Sequence, residues 1–259
     1  MKIAVCIKQV PSTNEVRLDP QTHAIIRDGR QSVINPFDNY AVELAVQLKE
    51  QLGGTVTALS MGIPATERLL RDTESRGADA ACLLSDRAFA GADTLATSYA
   101  LSLGVKAMGG ADLILCGKMA VDGDTAQIGP ELAENLGIHH VTDVSEIIEA
   151  TEEYFVVRKT TETGSSVLKV QLPALMTVQK DIVMPRLPTI SGIRFSLDAP
   201  FTVFNAAEAG ADTARTGFAG SPTQVVKTFT PDGKREAQAI SGSAAEQAAQ
   251  VLKIFKEDA

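Results

Sequence analysis

Asp112–Leu136, DLILCGKMAVDGDTAQIGPELAENL, carries the pattern that decides the fold. A short, nearly all-apolar run (DLILC) is followed by a loop of small and polar residues, and then by apolar residues at helical spacing. That order predicts a buried strand, a turn and a helix beginning near Thr125. The same alternation recurs outward from this stretch, in Lys2–Val10, Thr55–Ser60 (TVTALS) and Ala80–Leu84 (AACLL). Helical patterns separate these runs. The clearest spans Pro36–Leu52, with Asn35 as N-cap, Pro36 at the first helical position, and Phe37, Tyr40, Ala41, Leu44, Ala45 and Leu48 on one face. A second helix starts at Pro64 and runs through Leu69 and Leu70 to Gly77, and a third runs from a cap at Asp93 to about Met108. Strands alternating with helices predict an α/β fold whose parallel sheet is covered on both faces.

Composition sets the boundaries. The chain has 259 residues, of which 44% are hydrophobic and 22% charged, and its formal net charge is -8. That balance fits a globular protein and argues against a nucleic-acid partner, which needs a surplus of Lys and Arg to displace counterions. Cys6, Cys82 and Cys116 each lie within an apolar run and no CxxC pair occurs, which predicts buried thiols in a reducing compartment. The N-terminal apolar run stops at Lys8, too early for a signal peptide or membrane span, so a cytoplasmic location without membrane insertion is expected.

The segment VRLDPQTHAIIR, Val16–Arg27, reads as a small hairpin around Asp19-Pro20. After Gly137 four strands follow (VTDVSEII, YFVVRKT, SSVLKVQLP and ALMTV), expected to be antiparallel and to extend the sheet. Beyond Pro185 prolines are scattered among Ala, Thr and Gly, yet Phe195, Phe201, Phe204, Phe218 and Phe229 are five of the nine Phe in the chain. Such aromatics must be buried on some surface, and a partner chain could supply it. A terminal helix is predicted from the capping box Ser243/Glu246 and the apolar Ala245, Ala248, Leu252 and Phe255.

In an open parallel sheet the ligand crevice lies beyond the carboxyl ends of the strands. Four places qualify: Cys6–Val10, Asn35–Asp38, Met61-Gly62, and Gly117–Ile128. The last leads into a helix whose unpaired N–H groups and dipole favour a phosphate, and Gly123 would admit a close backbone approach. Asp124 or Thr125 acting only as a helix cap is the competing reading. Calcium-loop spacing is absent, because Ala126 and Ile128 occupy the next alternate positions, and no metal site is expected. Neither GxGxxG nor a Walker A loop occurs, His139-His140 read as a helix-to-strand junction, and no nucleophile motif is present, so no catalytic residue is assigned.

The segments KIAVCIKQVP, INPFDNYAVELAVQLKE, GKMAVDGDTAQIGPELAENLG and LPALMTVQKDIVMPRLPTISGI, in this order, resemble the beta subunit of electron transfer flavoproteins over essentially the whole chain. The resemblance implies an adenine nucleotide α-hydrolase-like, doubly wound parallel sheet extended by antiparallel strands. It also implies an obligate heterodimer with the flavoprotein alpha subunit, embraced by a C-terminal arm. On that basis residues 1–195 form the nucleotide- and flavin-binding domain, and residues 196–259 form the arm with its terminal helix. The family's nucleotide-binding positions fall on Cys6, Asn35, Pro36, Phe37, Asp38, Met61, Gly117, Lys118, Met119, Ala120, Val121, Asp122, Gly123, Asp124, Thr125, Ala126, Gln127 and Ile128. Met61 stands where other members carry Cys, and the acidic triplet of AMP-type members reads Asp122-Gly123-Asp124. The family's docking loop maps to Pro185–Phe195, with Ile190 as its apolar anchor and Leu187 and Ile193 beside it.

Three functions are then in play. In the first, FAD in this chain takes electrons from NADH and divides them by bifurcation between a dehydrogenase, of acyl-CoA type, and a low-potential acceptor such as ferredoxin. NPFDNYAVE and VDGDTAQIGPE resemble the bifurcating members, and Gly123 would relieve crowding beside a diphosphate. In the second, AMP is structural and the chain belongs to a simple electron carrier. The third is an unrelated nucleotide sensor or ATP pyrophosphatase, which would need a Gly/Ser-rich loop after the first strand where Gln9-Val10-Pro11-Ser12 stands.

Overall fold

The computed structural model describes residues 1–12, 32–226 and 239–257. The hairpin expected at Val16–Arg27, and Phe229, lie outside the described residues. Eleven strands are described: β1 (Lys2–Cys6), β2 (Gln9–Pro11), β3 (Ser32–Ile34), β4 (Thr55–Met61), β5 (Ala80–Leu84), β6 (Leu113–Gly117), β7 (His139–Ala150), β8 (Tyr154–Thr161), β9 (Gly164–Gln171), β10 (Ala174–Val178) and β11 (Phe201–Phe204). The helices are α1 (Pro36–Leu52), α2 (Glu67–Ser75), α3 (Thr94–Ala107), α4 (Ile128–Leu136), α5 (Ile190–Asp198) and α6 (Ala244–Glu257).

Nine strands form one sheet in the order β11-β5-β4-β1-β6-β10-β7-β8-β9. The seven from β11 to β7 are parallel, and only β7-β8-β9 run antiparallel. This is the doubly wound sheet that the β/α alternation implies. Alternation along each strand feeds two cores. Ile3, Val5, Leu113, Leu115, Ala174 and Met176 face α1 and α2, whereas Ala4, Cys6, Ile114, Cys116 and Leu175 face α3 and α4. Both faces are covered, so these strands read as continuous apolar runs.

Several boundaries differ from expectation. The opening run breaks at Ile7-Lys8, and β2 leaves the main sheet to pair antiparallel with β3. Of the four late strands expected to be antiparallel, β10 inserts between β6 and β7 and is parallel to both. A run as short and as fully buried as ALMTV carries no periodicity that reports its neighbours. From Pro64 a single 3-10 turn (Pro64–Thr66) precedes α2. Helix α4 begins at Ile128, three positions after Thr125, for backbone reasons given below.

The tail also differs. Residues 190–198, expected to be docking loop as far as Phe195 and extended arm beyond it, form α5, capped by the Thr189 hydroxyl accepting from the Gly192 N–H at 2.9 Å. A side chain at Gly192 would strike the Ser75 carbonyl oxygen, so glycine there lets α5 lie against α2. β11 then adds a parallel edge strand beside β5. The pair of half-buried Arg71 with buried Glu74 fastens this turn: Arg71 donates to Ser196 O (3.1 Å) and Ala199 O (2.8 Å) and stacks 4.7 Å over the Phe201 ring. Phe201 and Phe204 therefore pack on the chain's own sheet, while Phe195 and Phe218 are exposed. One compact unit runs from Met1 to Val225, past the boundary expected at residue 195, because β11 completes its edge. The remaining residues from Val226 form a second unit containing α6, with Ser243 and Glu246 in the expected capping box.

Candidate functional site

The chain proceeds from β1 through β4 to β5 on one side, then returns to place β6 on the other, so the strand order reverses between β1 and β6. A crevice opens at the carboxyl ends of two such strands. Cys6, which ends β1, and Cys116, one residue before the end of β6, lie side by side, continuing the register Val5–Leu115. Both thiols are buried, and hydrogen bonding to Cys6 followed by burial pushes the Cys116 thiol up, so it stays protonated and packs as an apolar group.

Asn35 organises the residues above them. It is the N-cap of α1, but its side chain makes no capping bond and is spent across the crevice. Its Nδ2 donates to Asp38 Oδ1 (2.9 Å) and to the Met119 carbonyl (2.8 Å), while its Oδ1 accepts from the Val121 N–H (3.1 Å). Asp38 Oδ2 accepts from the Lys8 N–H at 2.7 Å. Burial pushes the Asp38 carboxyl up to about 7, against the lowering influence of Asn35, the Lys8 and Gly117 backbone, and the Lys8 charge. The unfolded value is lower, so the contribution of Asp38 to folding stability is present below pH 4 and is lost as pH rises through 7. The full change is about 4 kcal/mol.

Gly117 completes the floor. A Cβ there would strike Asp38 Oδ1 and come within 2.7 Å of the Phe37 backbone carbon, so only glycine fits. On one rim Lys8 Nζ lies 2.6 Å from Asp122 Oδ1, and on the other Lys118 Nζ lies 2.8 Å from Asp143 Oδ1. The loop then turns tightly. The Asp124 N–H donates to Ala120 O (2.8 Å), and both Asp124 (φ 52°) and Ala126 (φ 54°) lie in the left-handed region. Two such residues cannot belong to a helix, which is why α4 starts at Ile128 with Gln127 as N-cap. Neither Asp124 nor Thr125 caps it. Left-handed Ala126 followed by right-handed Gln127 (φ -97°, ψ -27°) is the change of hand that turns successive N–H groups to one side, forming a concavity suited to an anion.

The structure thus brings together Cys6, Asn35, Phe37, Asp38 and Gly117–Val121, with Asp122 held on the rim by Lys8. Residues 123–127 are exposed, Pro36 is exposed, and Met61 is half-buried at the end of β4, packed into the α3/α4 core. Lys118 is among the nucleotide-binding positions that the resemblance implies and Lys8 falls within Cys6–Val10, but neither is read from sequence as part of an ion-paired rim, and Asp143 is not named from sequence at all. The only signal for Lys8 was its place just after the first strand, and Asp143 comes from a strand whose position was not readable. Among the described residues no cluster of His, Cys, Asp and Glu could hold a metal ion, and no helix is long and apolar enough to cross a membrane.

A second feature lies on the α5 side. Arg186 is fixed by buried Glu43 (Nε to Oε2, 2.9 Å) and by Glu50 (Nη1 to Oε1, 2.6 Å). Burial would raise the Glu43 carboxyl, but the bonds from Arg186 and Gln47 outweigh it and hold it below the usual carboxylate range. With Arg186 pinned, Leu187 (83% exposed) and Ile190 (82%) face outward, and Ile193 is half exposed.

Residues 22–216 match the electron transfer flavoprotein domain. The electron transfer flavoprotein subunit beta of Clostridium acetobutylicum is 43% identical over 258 residues, covering 100% of this chain and 99% of that protein. The caffeyl-CoA reductase-Etf complex subunit CarD of Acetobacterium woodii is 42% identical over 250 residues, 96% of this chain and 95% of that one. Protein FixA of Bradyrhizobium diazoefficiens is 40% identical over 255 residues, 96% and 88% of the two chains. Matched over most of its length by the family's domain and nearly end to end by beta-subunit relatives, the chain belongs to the electron transfer flavoprotein family, within its beta-subunit group.

Proposed function

We propose that this chain is the beta subunit of a heterodimeric, electron-bifurcating flavoprotein, that it holds one FAD at the β1/β6 crevice, and that NADH is the donor. The observation that carries the reading is the loop 117–127, clasped by Asn35 and ending in the Ala126-Gln127 concavity at the start of α4. A diphosphate fits that geometry: N–H groups converge there, the helix dipole is favourable, and at Gly123 the nearest atom of the chain to an added Cβ would be Lys8 Nζ at 3.8 Å. The bound flavin supplies the electron chemistry, and the protein supplies binding, orientation and nearby charge.

Each residue then has a bounded task. The backbone of residues 125–127 binds phosphate, the Gly123 and Asp124 N–H groups being taken by the Ala120 carbonyl, while Asn35 fixes the loop, and Cys6 and Cys116 present an apolar floor that excludes water. Lys8 and Lys118 set the field at the rims, each partly neutralised by its carboxylate partner. No side chain of this chain need transfer a proton to the substrate. Leu187, Ile190 and Ile193 form the contact for a flavin-dependent dehydrogenase of acyl-CoA type, an exposed apolar set on a segment already ordered by Arg186 and therefore cheap to dock. The residues beyond Val225 embrace the alpha subunit.

The test is anaerobic. The purified heterodimer, with NADH, the acyl-CoA-type dehydrogenase, its substrate and ferredoxin, should reduce ferredoxin only when the dehydrogenase and its substrate are both present. Dehydrogenase reduction that proceeds with no ferredoxin reduction at any NADH concentration would favour a plain carrier holding AMP.

A further inference from the structure

We propose that Asp38 is a positioning residue that acts through Asn35, its ionised carboxylate holding the Met119–Val121 loop closed and its protonation releasing it. The inference rests on the crevice being the nucleotide site, but the clamp itself is a property of this chain.

Every hydrogen-bonding group of the Asn35 amide is used. One Nδ2 hydrogen goes to Asp38, the other to the Met119 carbonyl, and the carbonyl oxygen takes the Val121 N–H. Asp38 accepts on both oxygens, from Asn35 and from the Lys8 N–H. A proton on Oδ1 would face the Asn35 N–H, and a proton on Oδ2 would face the Lys8 N–H. A proton on Oδ1 thus costs the Asn35 bond outright, and a proton on Oδ2 costs the Lys8 bond and leaves Asn35 donating to a neutral acceptor, so its bond is weakened in either case, a bond to a charged acceptor being among the stronger ones. Gly117 lies close against Asp38 Oδ1, where an added Cβ would collide with it, and the carboxyl is buried. Burial brings the change into the neutral range. The other charged and titratable groups of the crevice are Lys8 from the β1–β2 junction, ion-paired with Asp122, Lys118 after β6, paired with Asp143, and the Cys116 thiol, which its bond with Cys6 and burial push up. Global stability and local order then oppose each other, since the folded chain is more stable with Asp38 neutral while the loop is better held with it ionised.

The Val121 amide is the direct reporter. On the full-length chain, hydrogen exchange at Val121, corrected for intrinsic rates, should lose about tenfold in protection between pH 8 and pH 6, the scale of one charge-assisted bond. The Val5 amide in β1, which exchanges through global opening, should move the opposite way and gain up to about tenfold in protection from pH 8 to pH 6. In Asp38→Asn one donor must replace an acceptor, so protection at Val121 should be low and independent of pH. A wild-type profile without a step between pH 6 and pH 8, which needs no variant to measure, would overturn the proposal, as would an Asp38→Asn protein that keeps the step. Nucleotide release from the wild-type protein should quicken over the same range. A protein that binds no nucleotide would defeat the site reading, while exchange at Val121 would still decide the clamp.

Discussion

Gly117→Ala is expected to destabilise the chain by about 3 kcal/mol and to abolish nucleotide retention. The added methyl meets the buried Asp38 carboxylate and the α1 backbone at Phe37, neither of which is the free end of a flexible side chain. Overpacking of this kind costs about 1–3 kcal/mol. Displacing Asp38 adds the loss of its bonds to Asn35 and Lys8. For a compact unit of this size the melting temperature should fall by on the order of 10 °C. Gly123→Ala provides the contrast, since only Lys8 Nζ lies within 4 Å of its added Cβ, at 3.8 Å. Its melting temperature measured in the nucleotide-free form should be unchanged while nucleotide retention falls, because the space above Gly123 is assigned to the ligand. Thermal unfolding and nucleotide release measured on both variants separate the two roles. Equal melting temperatures for Gly117→Ala and the parent would show that the floor of the crevice is not as tightly packed as described.

Removal of the residues after Val225 should leave the first unit folded and abolish stable pairing with the alpha subunit. Helix α6 carries Val251, Leu252, Ile254 and Phe255, all exposed in the isolated chain. Burying such side chains is worth about 1.5–3 kcal/mol each. Even after the cost of ordering the segment, loss of that contact should weaken the heterodimer by at least about a thousandfold, or roughly 4 kcal/mol. The cut belongs at Val225. A cut at Phe195 would also remove β11 and the backbone carbonyls of Ser196 and Ala199 that Arg71 binds, leaving the Arg71–Glu74 pair short of partners. Gel filtration of the co-expressed chains checks the outcome, and an intact heterodimer would place the pairing energy elsewhere.

Legibility in the sequence followed physical cause. Helix α1 could be bounded to the residue because Pro36 and Gly53 mark its ends and its apolar spacing is regular. The crevice could be placed because the strand ends are marked by short apolar runs. The insertion of β10 could not, since a strand buried on both faces has no pattern that names its neighbours. Helix α5 was obscured by Pro188 and Gly192, yet Gly192 is the residue that permits its contact with α2. The start of α4 was misplaced because Asp124 and Thr125 have the chemistry of caps, while the left-handed backbone at Asp124 and Ala126 is written in no residue type. Asn35 was recognised as a cap, but its bonds reach residues 84 and 86 positions away, and no local pattern reports a partner at that distance.

The most direct measurement is a cofactor count on the heterodimer purified from cells without added nucleotide. Denaturing extraction should yield two FAD per heterodimer and no AMP, and Gly117→Ala in this chain should remove one of the two. A single flavin accompanied by one AMP would contradict FAD binding at the β1/β6 crevice and leave this chain as the subunit of a simple carrier.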